Sequence, residues 1–215
     1  VPPRRIARPA ARPRRVTPRR RVRLDNEARR AQLLALARQV FTERSYDEVS
    51  IDELAREAGI SKGLFYHYFP TKRDLYVAGL RQIADDLVAR ATSVPADLAP
   101  VDRVRAGLDA YLGFVVSHSR AFVALLRGGV GSDPEVAAVI EDTRGAFFRR
   151  VLEDSPFAAQ FFGSQRLRLA LRGWIGFVEA TSIDWCVQPI LPQAELRDLL
   201  AGILIETLRI AVSQP

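Results

Sequence analysis

The chain has one cysteine, Cys186, two histidines and no methionine among 215 residues. A lone cysteine cannot close an intramolecular disulfide, so the sequence is expected to work in a reducing, cytoplasmic setting. Two histidines, His67 and His118, with no cysteine cluster beside them, are too few for a histidine-rich metal site, and no metal or cofactor is expected. Catalysis lacks its usual constellations as well. No cysteine partners His118, and Asp133-Pro134-Glu135 reads as a helix start, where acids suit the dipole, so the sequence is not expected to be that of an enzyme. His118 and Cys186 are read as structural.

No apolar run approaches the roughly 18 residues that a membrane span requires, and Arg38 interrupts the first cluster, LLALARQVF. No membrane partner is expected. Convincing alternation at period two is missing, as is any repeat of 20 to 50 residues. Lysine is scarce too: Lys62 and Lys72 are the only two, against 30 arginines, a balance that with abundant alanine reads as a GC-rich coding sequence.

The formal charge of +7 is concentrated in one place. Residues 1–24 carry ten arginines and no acid, and without them the remainder stands at −3. The fold as a whole is therefore not basic, and nucleic-acid binding has to be argued from placement. That Pro/Arg-rich tail lacks hydrophobic periodicity and is expected to be disordered on its own. As a flexible arm it would add salt-sensitive affinity for a phosphate backbone. As a solvated extension it would do nothing.

From Asp25 onward the pattern is helical. Leu33, Ala37, Val40 and Phe41 share one face of a first helix ending near Arg44. Ser50 with Glu53 three residues on is a capping box that opens a second, short helix through Leu54, Ala55 and Ala58, stopped by Gly59. Ser61 caps a third helix that runs to about Phe69, where Pro70 closes it. Thr71 with Asp74 launches a fourth, to about Ala91, and further helices are expected near 101–117, 119–127, 134–153, 164–187 and 193–212. The expected fold is all-α with about nine helices: a tail over 1–24, a helix-turn-helix domain over 25–80 and a helical domain over 81–215.

The third helix settles what the chain offers to a partner. Turning it through 100° per residue puts Phe65 and Phe69 on one face and Lys62, Gly63, Tyr66 and His67 on the other. The first face suits packing. The second is too polar for a core, and its lysine, its bare backbone at Gly63 and its ring donors suit the edge of a DNA groove. Leu64 and Tyr68 lie between, where Leu64 meets either a thymine methyl or the protein. Lys72, in the first turn of the fourth helix, is placed for a backbone phosphate.

The run Leu33, Ala37, Val40-Phe41, Tyr46, Ser50-Ile51, Leu54-Ala55, Ala58-Gly59-Ile60-Ser61, Phe65-Tyr66, Phe69, Lys72 and Leu75 resembles the N-terminal domain of the tetracycline-repressor (TetR) family, over about residues 28–78. The resemblance implies a homodimer that binds a palindromic double-stranded DNA operator and is released by a small, mainly apolar effector, with repression as the default. It also implies DNA contacts at Ser50, Ser61, Lys62, Gly63, Leu64, Tyr66, His67, Tyr68 and Lys72. Two positions depart from the pattern: Tyr68 where many members have histidine, and Ser45 where glycine is usual.

Eight of the eleven phenylalanines and both tryptophans follow residue 100. Such aromatic bulk permits an effector cavity, with Tyr111, Phe114, Val115, Phe122, Leu126, Phe147, Trp174 and Phe177 as candidate lining, although ordinary core is the competing reading for each. In the final helix the apolar residues spread over more than half the circumference, and in the helix before it Ala170, Gly173 and Ala180 permit close approach. Pairing with a second copy in a four-helix bundle would bury the excess. The rival reading is a ligand-independent DNA-binding or nucleoid-associated protein that uses the arginine arm, and a filled C-terminal core would favour it.

Overall fold

The computed structural model describes residues 26–127, 133–153 and 164–212. The tail over 1–24 lies outside them. The described residues form nine α-helices and one short 3₁₀ turn, without a strand. Helix α1 spans Asn26–Glu43, and the 3₁₀ turn Tyr46–Glu48 leads into α2 (Ile51–Glu57) and α3 (Lys62–Tyr68). Then come α4 (Lys72–Thr92), α5 (Pro100–Ser117), α6 (Ser119–Arg127) and α7 (Pro134–Glu153). The last two are α8 (Gln165–Val187) and α9 (Gln193–Val212).

The boundaries follow from the caps in the sequence. Ser50 Oγ accepts from Glu53 N at 3.2 Å while Glu53 Oε2 accepts from Ser50 N at 2.9 Å, closing the capping box of α2. At its other end Ile60 N donates to Ala55 O (3.0 Å) and Gly59 N to Arg56 O (3.1 Å), the paired bonds of a Schellman stop. That stop needs a left-handed residue, and Gly59 supplies it with φ +67°. Ser61 Oγ accepts from Leu64 N at 3.2 Å, starting α3 two residues later. Thr71 and Asp74 exchange the same reciprocal bonds at α4, at 3.1 and 2.9 Å.

Buried side chains gather in two clusters. One holds Leu33, Ala37, Val40 and Phe41 of α1, Leu54 and Ala55 of α2, Phe65 and Phe69, Leu75 to Leu80 of α4, and Val136 and Val139 of α7. The other holds Leu87 and Ala91 of α4 with α5, α8 and α9, including Tyr111, Leu112, Leu171, Trp174, Leu200 and Leu204. Helix α4, about 30 Å long at 1.5 Å per residue, contributes its first half to one cluster and its last turns to the other. Trp174 Nε1 donates to Leu200 O at 3.1 Å, so the largest core ring of α8 also satisfies its polar edge on α9. Among the described residues no helix is long and apolar enough to cross a membrane, and no group of three or more metal-ligating side chains is assembled.

Candidate DNA interface and effector cavity

Phe65 is fully buried and Phe69 nearly so, which anchors α3 from behind. Their neighbours then have to face outward. Ser61, Lys62, Gly63, Leu64, Tyr66 and His67 are all exposed, Tyr66 at 41% and Leu64 at 38%, and a Cβ added to Gly63 would meet nothing within 4 Å. This exposed surface carries an ammonium, a phenol, an imidazole and bare backbone, a set able to meet base edges and phosphates. Lys62 Nζ lies 3.0 and 3.2 Å from the two carboxylate oxygens of Asp52 on α2, and that hydrogen bond and charge raise the pKa of the ammonium. Ser50 is exposed as well, with its hydroxyl engaged by Glu53.

Tyr68 and Lys72 do not share the open face. Tyr68 is half-buried and its hydroxyl donates to Asn26 Oδ1 at 3.0 Å, tying the end of α3 to the start of α1. Lys72 turns inward: its Nζ donates to Tyr46 O (3.0 Å) and Val49 O (3.1 Å) and sits 3.9 Å from the centre of the Tyr46 ring. Tyr46 O also accepts the 3₁₀ bond from Val49 N at 3.5 Å, so the ammonium adds a second donor there and another at Val49 O. The Lys72 ammonium, expected to meet a phosphate, is here held by the 3₁₀ turn.

Behind this interface is a cavity of about 570 Å³, lined from α4, α5, α6, α7, α8 and α9. Six of the eight candidate residues line it: Tyr111, Phe114, Phe122, Leu126, Phe147 and Trp174. Tyr111 stands edge-on to Phe122 (6.4 Å) and Phe147 (6.2 Å), and burial pushes its hydroxyl pKa up, keeping it neutral. Two expectations are corrected. Val115, one residue past Phe114, is rotated 100° away into the α5 core and fully buried. Phe177 is 38% exposed on the outer side of α8, because the inward stripe runs through Trp174 and Val178.

Sequence reasoning missed the ionic joints. Arg73, next to Lys72, donates through Nε and Nη2 to the two oxygens of Asp133 (2.5 and 2.7 Å) and through Nη1 to Glu135 (2.8 Å). Asp133 also accepts from Glu135 N at 2.9 Å, so one carboxylate starts α7 and fastens it to α4. These bonds hold the Asp133 carboxyl at about 2. A second link joins Arg120 of α6 to Glu48 of the 3₁₀ turn. Within the cavity wall Arg144 of α7 grips Glu179 of α8 through two bonds, at 2.8 and 2.5 Å. The acids at 133 and 135 were visible as a helix start, but no local signal pairs them with a residue 60 positions away. His118 stacks on Phe114 at 3.9 Å with Nδ1 2.7 Å from Phe114 O, and burial raises the Cys186 thiol.

Comparison with known proteins agrees with this arrangement. Residues 33–78 match the family model of bacterial regulatory proteins of the tetR family, and residues 100–205 match that of the tetracyclin repressor-like C-terminal domain. A TetR-family transcriptional regulator from Streptomyces coelicolor superposes with a TM-score of 0.77 at 34% identity, covering 88% of this chain and 84% of that one. The transcriptional activator FasR of Mycolicibacterium smegmatis is 33% identical over 144 residues, 64% of this chain and 65% of FasR. The regulator EthR of the same organism is 35% identical over 108 residues, 46% of this chain and 47% of EthR. The chain thus spans less than two thirds of the length of these curated relatives. By sequence and by fold, at both its helix-turn-helix and its C-terminal bundle, the chain belongs to the TetR family of bacterial transcriptional regulators.

Proposed function

We propose that this protein binds a palindromic DNA operator as a homodimer and is released when a small, mainly apolar molecule fills the C-terminal cavity. One observation carries the reading: Lys62, Gly63, Tyr66 and His67 stand outward on a helix whose other face is locked by Phe65 and Phe69. In a helix-turn-helix that face enters the major groove. Tyr68 and Lys72 act at one remove in this reading, holding α3 and the 3₁₀ turn in place.

The dimer reading rests on surface chemistry. Leu169 (76% exposed), Gly173, Phe177 and Ala180 of α8, with Leu199, Gly202 and Ile210 of α9, form an apolar exterior studded with small residues. A second copy related by a two-fold axis would bury this face in a four-helix bundle and present two α3 helices to successive grooves. We set the domain division within α4, near residue 80, and the passage of its side chains from one buried cluster to the other supports it.

The cavity volume falls within the roughly 300–1,000 Å³ usual for small-molecule sites. Its walls include Leu80, Ile83 and Leu87 of α4 and Ile140 and Phe147 of α7, the two helices that Arg73 and Asp133 join beside the DNA-binding unit. A ligand that wedges these walls apart changes the separation of the two recognition helices. Release requires only that it bind the wide-set state more tightly than the operator-competent one. Operator position then decides whether release lifts a block on transcription or withdraws activation, and FasR is named an activator. Such a regulator works at the chromosome, in the cytoplasm.

A cavity that the side chains themselves do not fill supports this reading over the ligand-independent one, which a filled core would have favoured. A footprint on the DNA upstream of the protein's own gene tests it. Wild-type protein is expected to protect a palindrome, the Lys62→Ala/Tyr66→Ala variant to lose that protection, and members of a hydrophobic metabolite library to abolish it. Equal protection by the double variant would overturn the interface, and indifference to every ligand would restore the rival.

A further inference from the structure

The DNA-binding unit has little net attraction for a polyanion. Residues 26–80, its described part, hold eight basic and eight acidic side chains. Lys72 is turned to backbone carbonyls, which leaves Lys62 as the one lysine of the open α3 face, and it too has an acid beside it. Its Nζ lies 3.0 Å from Oδ1 and 3.2 Å from Oδ2 of Asp52 on α2, with the two side chains 51% and 70% exposed. Glu53, not Asp52, closes the capping box of α2, and the fully buried Leu54 and Phe65 anchor the two helices from behind. The pair therefore has no packing or capping task, and an exposed ion pair adds little to stability.

Toward phosphates the pair is unfavourable, because the carboxylate repels them and cancels the charge of the ammonium that would meet them. Toward base edges it presents a pattern. An ammonium has three donors and no acceptor, and a carboxylate has about four lone-pair sites. With one donor engaged by Asp52, Lys62 keeps two, and Asp52 keeps acceptor sites beside them. In the major groove a G·C pair presents two acceptors, N7 and O6 of guanine, next to the N4 donor of cytosine. The two sets are complementary. Tethering also restrains a flexible four-carbon stem that would otherwise carry its charge to any phosphate within reach.

We propose that Lys62 and Asp52 together read one G·C pair in each half-site. The ammonium donates to N7 and O6 of guanine, while Asp52 accepts from N4 of cytosine and holds the ammonium away from the phosphates. Asp52 is thus a specificity-determining residue that lowers electrostatic affinity for any duplex and raises selection for one sequence. The inference rests on α3 being the helix that enters the major groove. Water leaving the groove lowers the local dielectric and strengthens both sets of bonds.

Anisotropy titrations of the full-length protein test this against three kinds of duplex: the palindrome found by footprinting, versions in which each G·C pair is exchanged in turn for A·T in both half-sites, and a scrambled sequence of equal length. In the wild type one exchange is expected to weaken binding about tenfold or more. In Asp52→Ala the same exchange is expected to cost about threefold or less. Affinity of that variant for the scrambled duplex should rise roughly fivefold per protomer near about 0.15 M salt, with a salt slope steeper by about one. Lys62→Ala is expected to lose the same discrimination, and the double variant to lose less than the product of the single losses. Both side chains are exposed, so helical circular dichroism should not change. A wild type without such a G·C position, or discrimination that survives Asp52→Ala, overturns the proposal and leaves operator binding through α3 intact. Tighter binding of the scrambled duplex with discrimination unchanged reduces Asp52 to a bulk charge and overturns it too. If the wild type protects no palindrome, the operator reading fails together with this one.

Discussion

Two glycines four residues apart, on either side of a cap, make opposite predictions. Gly59 holds φ +67°, where a side chain costs roughly 1–2 kcal/mol because Cβ crowds the carbonyl that follows. Alanine also restricts the unfolded chain and recovers up to about 1 kcal/mol of that cost. Space is not an issue, since nothing lies within 4 Å of a Cβ built there. Gly59→Ala is therefore expected to destabilise the protein by about 1 kcal/mol, a purely conformational effect. Gly63 sits inside α3 with ordinary helical backbone and equally open surroundings. Gly63→Ala is expected to add roughly 0.5–1 kcal/mol of stability. Its methyl, however, projects from the face assigned to the groove, and overpacking a close interface costs about 1–3 kcal/mol, on the order of tenfold in affinity for each half-site. Urea denaturation and fluorescence anisotropy on the operator separate the two effects. One variant should lose stability and keep affinity once folded, and the other should gain stability and lose affinity. Operator binding by Gly63→Ala at the wild-type level would refute the placement of α3 against DNA.

Three more expectations concern the rest of the molecule. Phe65→Ala removes a fully buried ring and is expected to cost about 3–5 kcal/mol, seen as an early unfolding transition with loss of operator binding. Asp133 has its carboxyl lowered from 3.8 to about 2, mainly by the hydrogen bonds from Arg73. A depressed folded-state pKa contributes stability that is present above 3.8 and is lost as pH falls toward 2, so wild type should weaken across that window and Asp133→Asn much less, as followed by acid titration of ellipticity. Leu169→Glu places a charge on the exposed side of α8 and is expected to yield a monomer in sedimentation with its helical spectrum unchanged. A dimer that persists in this variant would move the interface elsewhere.

The helices and the outward face of α3 could be read from the chain because their causes are local. Ser50, Gly59, Ser61 and Thr71 fix ends through groups within five residues, and the 100° turn of a helix separates Phe65 and Phe69 from Lys62 and Tyr66 without knowledge of any partner. Composition likewise located the aromatic bulk of the cavity. What the tertiary structure decided depends on groups distant in sequence. Lys72 turned to carbonyls 23 and 26 residues back, Tyr68 to Asn26, and Arg73 to acids about 60 residues ahead. Val115 and Phe177 left the lining through rotations that only helix packing sets. Periodicity assigns a face to each helix, but packing alone determines what that face meets.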